Sequence, residues 1–381
     1  MVMVPTAISQ VIEQVVRVGT VFLASYFLLK DGVEFVAAGA TFGAVTGSFA
    51  ALIALIIYFC WWRYKYYRMQ ASKGNNTSII SIIKRVAILA VPISLGGLVM
   101  PLMQTIDAAM VPLRLQQAGF DVSKATALFG QFSGMAATLI NLPTIITISL
   151  AASLVPAISD ALAKANQGLI VNRLNEAIRL TIMLCLPAAL GLFLLSEEIA
   201  ILLYGIPEVG VSISVLAPAA LFLGLHQTTA GAIQGLGKTF LPVKHLFIGA
   251  IVKVALNYYL TAMPALGIRG AGFATVASFI VAFLLNLRYL QRHTFFKLNL
   301  FYHLLKPGIA ATIMAISIKY TGNIVNSSSG LGTLLLIMIG VMAYGLALLV
   351  IGGIKGQDLE IIPGVGPKLA AFMTKLGIVR W

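Results

Sequence analysis

Ten long stretches of almost purely apolar residues constrain the fold of this chain more than any other feature. They cover residues 5–29, 33–62, 86–113, 125–153, 178–195, 211–236, 242–263, 268–289, 303–320 and 331–353. A helix needs about 20 residues to cross the hydrocarbon core of a bilayer. Only 10% of the residues are charged, whereas soluble proteins carry about 25%. We therefore predict an all-α polytopic membrane protein with about ten transmembrane helices.

The positions of the basic residues predict which side of the membrane each loop faces. If the first apolar segment begins at the cytoplasmic side, 19 of the 26 Lys and Arg residues fall in cytoplasmic loops, helix ends or the tail, and 5 fall outside. Cytoplasmic loops of membrane proteins carry such an excess. We expect a multi-pass protein with cytoplasmic N- and C-termini. The same distribution explains the net charge of +14, so we expect no nucleic-acid partner.

Two pairs of segments resemble each other and indicate an internal repeat. The stretch VVRVGTVFLASYFLL and the segment after it are similar to IVKVALNYYLTAMPAL and its successor. In this alignment Arg17 corresponds to Lys253, and Ser48 corresponds to Ser278. The two copies start six segments apart, which predicts a repeat of six helices and a front end that lacks four of them. Parallel repeats are typical of transporters, whose substrate sites lie between the halves.

Two motifs resemble a known transporter family. The segment PTAISQVIEQVVRV (5–18) is similar to the fifth helix of the SpoVB-type polysaccharide exporters, relatives of the MurJ lipid II flippases and of MATE-type multidrug exporters. Within 104–159, QTIDAAMVPLRL and LINLPTIITISLAASLVPAIS resemble the start of the second six-helix bundle of that family. The resemblance implies a fourteen-helix fold of two bundles plus two helices, of which this chain would supply the last ten.

The predicted organisation follows from this resemblance. We expect 1–62 to be the last two helices of the first bundle, 63–85 a cytoplasmic loop, 86–289 the second bundle, 303–353 two additional transmembrane helices, and 354–381 a cytoplasmic tail. The tail segment 362–377 resembles a helix-hairpin-helix turn of DNA-binding proteins. After ten membrane segments, an amphipathic helix on the membrane surface is the better interpretation.

The resemblance implies a flippase that moves a lipid-linked saccharide across the bacterial cytoplasmic membrane by alternating access. The expected substrate is an undecaprenyl-pyrophosphate-linked precursor of the cell wall or of another polysaccharide, and membrane lipids are the other expected partners. The MurJ branch is expected to carry an acidic–basic pair just before Pro143. Ala137 and Thr138 stand there, which disfavours lipid II itself.

Two alternatives remain open, and neither they nor the flippase hypothesis involves an enzyme. A MATE-like exporter of cationic drugs is compatible with the equal numbers of cations and carboxylates deep within the spans. A truncated fragment that does not transport, or that needs a partner chain, is the other alternative. Nucleophile–base and metal-ligand patterns do not stand out in the sequence.

Four charged residues lie deep within apolar segments, where a charge costs about 2.5–3.5 kcal/mol on insertion scales. Glu13 and Arg17 share one helical face, which Gln10 extends. They predict either a cavity-lining stripe or a neutralising pair that only packs its helix. Asp107 and Lys253 are the other two. Lys253 is predicted to face an anionic head group together with Arg17, or to form an ion pair with Asp107 or Glu13.

The family resemblance also implies a sodium site built from Asp107, Asn257 and Thr275. Some relatives carry a further carboxylate at the position of Thr261, so the predicted site has lost charge, and a structural hydrogen-bonded Asp107 is the alternative. Sodium is the only cofactor that the resemblance implies. The second apolar segment has glycines at every fourth position, which predict a close-packing face for another helix: Gly39, Gly43 and Gly47.

Overall fold

A computed structural model describes residues 4–28, 30, 32–67, 79–297, 299–324 and 330–353. Over these ranges the chain forms thirteen α-helices and one short π-helix, which confirms the predicted all-α class. The predicted cytoplasmic tail with its interfacial helix, and residues 68–78 of the predicted loop 63–85, lie outside the described residues. The described ends of that predicted loop, 63–67 and 79–85, are helical.

The helices follow one another with short connections. They are α1 (Val4–Leu28), α2 (Val33–Tyr67), α3 (Ile79–Gln117), α4 (Val122–Gly130), the π-helix (Gln131–Ala136), α5 (Ala137–Asn141), α6 (Thr144–Ala163), α7 (Gln167–Leu194), α8 (Ser196–Tyr204), α9 (Val209–Gly235), α10 (Phe240–Leu260), α11 (Ile268–His293), α12 (Leu300–Gly322) and α13 (Gly330–Val350).

Nine of the helices in the described part of the chain are long and apolar enough to cross a membrane, in agreement with a polytopic membrane protein. They lie in α1, α2, α3, α6, α7, α9, α10, α11 and α13. The predicted segment 303–320 falls within α12, which is not among the nine. Lys306 and Lys319 lower the hydropathy of that helix.

The predicted segment 125–153 does not form one uninterrupted helix. The chain leaves the α-helix at Gln131 for one π-helical stretch, and it breaks between α5 and α6 at Leu142 and Pro143. Proline has no N–H to continue the hydrogen-bond ladder. Beyond the break, α6 runs ten residues past the predicted end to Ala163, because its last turns are amphipathic: Asp160 pairs with Lys164 at 2.7 Å on an exposed face.

The chain divides into two compact units, Met1–Ser81 and Ile82–Trp381. In the first unit α1 and α2 form a hairpin whose helices approach closely along the glycine face of α2. A Cβ added to Gly47 would lie 2.7 Å from the Glu13 carbonyl oxygen, and one added to Gly43 would lie 3.1 Å from that of Arg17. The helix packed against Gly39, Gly43 and Gly47 is therefore α1.

In the second unit, α9 is the central helix. It packs against α6, α7 and α11, while α10 packs against α11, and α12 against α13 and α7. Small residues on α9 allow these neighbours to approach: a Cβ at Gly231 would lie 2.7 Å from the Ala151 carbonyl oxygen of α6. Large apolar side chains such as Phe247, Phe273 and Leu284 are exposed on the outside of the unit, as expected of a surface that faces lipid.

The α1–α2 and α10–α11 hairpins share one packing feature that agrees with the proposed repeat. In the repeat alignment Glu13 corresponds to Gly249, and Ser48 corresponds to Ser278. One close approach of α1 and α2 lies between Glu13 and Gly47, next to Ser48. The closest approach at Gly249 is to Ser278, whose carbonyl oxygen would lie 2.6 Å from an added Cβ. In both hairpins, residues aligned by the repeat thus take part in a close approach between the helices.

Candidate functional site

The second unit encloses a cavity of about 350 Å³ between α3, the α4–π–α5 segment, α9, α10 and α11. Its wall is mostly apolar, with Met100, Phe132 and Phe279 among the large contributors. The polar side chains on the wall are few and come from five different elements: Gln104, Asp107, Ser133, Asn141, Lys253 and Thr275. A largely apolar cavity with a few convergent polar groups is typical of a ligand site.

A buried ion pair joins α3 to α10 on this wall. The Lys253 ammonium donates to Oδ2 of Asp107, and each residue is only 6% exposed. An ion pair is one of the two roles that the sequence predicts for Lys253. The sequence leaves Asp107 and Glu13 open as its partner, and the structure pairs it with Asp107. Removing one member of such a pair is costly, since it leaves an uncompensated charge in a low-dielectric surrounding.

Asn257 of α10, and Thr261 directly after the end of that helix, extend the pair into a hydrogen-bonded chain. Asn257, one turn beyond Lys253, donates from Nδ2 to Oδ1 of Asp107 at 3.1 Å. The Thr261 hydroxyl, another turn along, donates to Oδ1 of Asn257 at 2.6 Å. Asn257 and Thr261 are fully buried. The Asp107 carboxylate is therefore held by a charged and a neutral donor, and it is the acceptor for both.

The residues of the predicted sodium site do not fit a sodium ion in this arrangement. Both oxygens of Asp107 accept hydrogen bonds, and the amide oxygen of Asn257 accepts from Thr261. Thr275 lines the cavity, but its hydroxyl donates to the Ala271 carbonyl at 2.9 Å. A cation beside Asp107 would have to displace the Lys253 ammonium.

The other predicted site residues lie in the first unit, on α1. Nη2 of Arg17 contacts Oε1 of Glu13 at 2.9 Å, and the Ser48 hydroxyl of α2 donates to the same oxygen at 3.5 Å. Within the described residues, Nε of Arg17 has no hydrogen-bond partner. The Arg17 side chain is 37% exposed, and Gln10 is exposed. The predicted placement of Arg17 and Lys253 around one cavity stays a prediction.

A second buried polar cluster was not predicted from the sequence as a unit. Asn286 of α11 contacts Nδ1 of His245 at 2.7 Å and Nδ1 of His226 at 3.2 Å. It also donates to the Thr229 hydroxyl at 3.2 Å. Single polar residues in apolar helices were the available signal, but their partners lie 41 to 60 residues away along the chain. The cluster ties α9, α10 and α11 together.

An exposed ion pair connects α4 to the start of α9. Nζ of Lys124 contacts the two carboxylate oxygens of Glu208 at 2.6 and 2.7 Å. These hydrogen bonds hold the pKa of the Glu208 carboxyl below its ordinary value. Since both side chains are well exposed, solvent screens the attraction and the pair contributes little to stability.

The described part of the chain is an all-α polytopic membrane protein with a helix-lined cavity and a charged pair on the cavity wall, and intramembrane charges commonly mark substrate and ion pathways. A family model described as lipid II flippase MurJ matches residues 3–340. The chain therefore belongs to the MurJ family, which confirms the resemblance found in segments 5–18 and 104–159.

Similar proteins agree with this assignment. Stage V sporulation protein B of Bacillus subtilis (strain 168) is 31% identical over 288 residues, which are 74% of this chain and 54% of that protein. Lipid II flippase MurJ of the same organism is 29% identical over 304 residues, which are 76% of this chain and 54% of that protein. These matches thus span about half the length of each relative.

The fold is also that of a solved member of the family. A structure of lipid II flippase MurJ in an inward closed conformation superimposes with a TM-score of 0.63 at 17% identity, covering 91% of this chain and 67% of that one. At this level of identity the similarity shows the shared fold.

Proposed function

We propose that the chain acts in a flippase that moves a lipid-linked saccharide, of the undecaprenyl-pyrophosphate type, outward across the bacterial cytoplasmic membrane by alternating access. The observation that carries the proposal is the family match over residues 3–340. The cavity of the second unit, with an intramembrane ion pair on its wall, supports it.

The charges of the candidate residues favour different roles for the two cations. Lys253 is neutralised by Asp107, and these are the only charged side chains among the described residues of the cavity wall. Arg17 binds Glu13, but its side chain stays 37% exposed. We therefore assign the head-group phosphates to Arg17, with Gln10 and Glu13 beside it, and we assign Asp107 and Lys253 to the wall of the pathway.

The test uses proteoliposomes that contain the purified protein and a fluorescent undecaprenyl-pyrophosphate saccharide in both leaflets. A membrane-impermeant quencher bleaches the outer leaflet only, so flipping appears as loss of the protected half of the signal. We expect complete quenching with the protein and about half with empty vesicles. Half quenching in both, with folded protein present, would contradict the proposal and leave a fragment that needs a partner chain.

A MATE-like exporter of cationic drugs has less support. Cation transport favours acidic residues on the cavity wall, and Asp107, the one carboxylate on the described wall, is already paired with Lys253. Efflux of a cationic dye from whole cells distinguishes the two functions. Dye efflux without saccharide flipping would favour the exporter.

A further inference from the structure

The surroundings of Asp107 suggest how its charge is compensated. Its carboxylate lies on the cavity wall at 6% exposure. A carboxylate can only accept hydrogen bonds, so the Asn257 amide must present its N–H₂ group to it, as the bond from Nδ2 to Oδ1 requires. That orientation turns the amide oxygen away, toward the Thr261 hydroxyl. The site is arranged around a carboxylate that receives donors.

We propose that Lys253 is the resident cation of this site. Its ammonium occupies the position beside Oδ2 of Asp107 that a mobile monovalent cation would otherwise take. The second unit is then complete without sodium, and its stability does not depend on the sodium concentration.

The charges of Asp107 and Lys253 balance each other, and this balance disfavours an added cation. Asp107 and Lys253 sum to zero and contact each other directly, and the described part of the cavity wall holds no second carboxylate that could neutralise an added cation. Adding sodium beside Asp107 would place a second positive charge against the Lys253 ammonium in a low-dielectric region, where like charges repel strongly. Sodium and Lys253 therefore exclude each other.

The small number of oxygen atoms available as ligands is a second, independent reason why sodium does not fit beside Asp107. Hard cations in proteins are bound by several oxygen ligands. Around Asp107, the Asn257 oxygen accepts from Thr261, and the Thr275 hydroxyl donates to its own helix. In the described residues, groups of three or more His, Cys, Asp or Glu side chains that could hold a metal ion are absent. The Lys253 ammonium covers Oδ2 of Asp107, and its removal would leave that oxygen open to an ion.

If Lys253 is the resident cation, shortening its side chain should convert the position into a sodium site. Lys253→Ser removes the charge, leaves Asp107 uncompensated, and opens space for an ion with its water. In a sodium-free buffer we expect its unfolding temperature to fall by roughly 5 °C or more. Sodium should restore part of the loss, about 3 °C when its concentration is ten times the dissociation constant. The native protein should unfold at the same temperature in sodium, potassium and N-methylglucamine chloride of equal ionic strength.

Two controls separate a cation site from ordinary loss of packing. Asp107→Asn combined with Lys253→Ser removes both charges, and we expect it to be insensitive to sodium. Lys124→Ser breaks the exposed pair with Glu208 and should change neither the unfolding temperature nor the sodium response. Selective stabilisation of the native protein by sodium would overturn the proposal. So would a Lys253→Ser variant that unfolds at the same temperature with and without sodium.

Discussion

At the scale of single residues, Asn286 links three helices through one side-chain amide. Its partners are His245 on α10 and His226 and Thr229 on α9, and the residue is fully buried. Interhelical hydrogen bonds in membranes contribute on average about 0.6 kcal/mol each, since competing partners also exist in the unfolded state. Replacing Asn286 removes the hydrogen bonds to all three partners at once, so the total loss of stability should exceed that average.

Asn286→Leu should therefore destabilise the protein by about 1–3 kcal/mol, because a side chain of similar size leaves His226, His245 and Thr229 without their common partner. Equilibrium unfolding in mixed micelles measures the change. Asn141→Leu is the matched control. That side chain is exposed on the cavity wall, so its replacement should change stability by under about 0.5 kcal/mol. Equal effects of the two substitutions would contradict the structural role of the cluster.

The proposed function depends most strongly on Arg17. If it holds head-group phosphate, Arg17→Gln removes a charge-assisted hydrogen bond worth about 1.5–3 kcal/mol, which corresponds to roughly a tenfold to hundredfold lower flipping rate. Arg17→Lys keeps the charge and should recover part of the rate. Both are measured in the vesicle assay.

The control for this series is Lys164→Gln, which removes a cation from an exposed pair at the end of α6. It should leave the flipping rate unchanged. If Arg17→Gln flips the substrate as fast as the native protein, Arg17 and Glu13 only neutralise each other, which is the packing interpretation of the pair.

At the scale of helices, the α1–α2 hairpin depends on close approaches along the glycine face of α2. Gly47→Ala would place a Cβ 2.7 Å from the Glu13 carbonyl oxygen, which belongs to the backbone and cannot move alone. The helices must separate, at a cost of about 1–3 kcal/mol for overpacking. Hydrogen exchange should quicken in peptides from α1 and α2.

Gly19→Ala is the control within the same hairpin. A Cβ at Gly19 would meet no atom within 4 Å, and alanine is a better helix former than glycine by about 1 kcal/mol. Exchange in α1 should stay unchanged or slow down. A Gly47→Ala variant whose exchange matches that of Gly19→Ala would show that the contact does not limit the hairpin.

The helices also show which features of the fold the sequence could predict and which it could not. Apolar runs identify most membrane helices, because lipid forces the backbone to satisfy its hydrogen bonds within each helix. The break at Leu142 and Pro143 has no such signature, since membrane helices tolerate proline when neighbours compensate. Asp107 and Lys253 were found as intramembrane charges, but the pairing spans 146 residues. It is fixed by how α3 packs on α10, which no local pattern encodes.

At the scale of the whole molecule, the positive-inside distribution makes a prediction about sidedness. Lys164 follows α6, and Arg269 lies at the start of α11; both are exposed. The membrane-crossing helices α7, α9 and α10 lie between them, so an odd number of crossings separates the two residues. The excess of basic residues on one side then assigns Lys164 to the cytoplasm and Arg269 to the outside.

Single cysteines at these two positions test the assignment. The background carries Cys60→Ala and Cys185→Ala, since the first native thiol is exposed and the second is buried. A membrane-impermeant maleimide should label Arg269→Cys in intact spheroplasts and Lys164→Cys only after permeabilisation. The reverse pattern would invert the proposed orientation, and with it the outward direction of flipping. Labelling of both positions in intact spheroplasts would mean that α7, α9 and α10 do not all cross the bilayer.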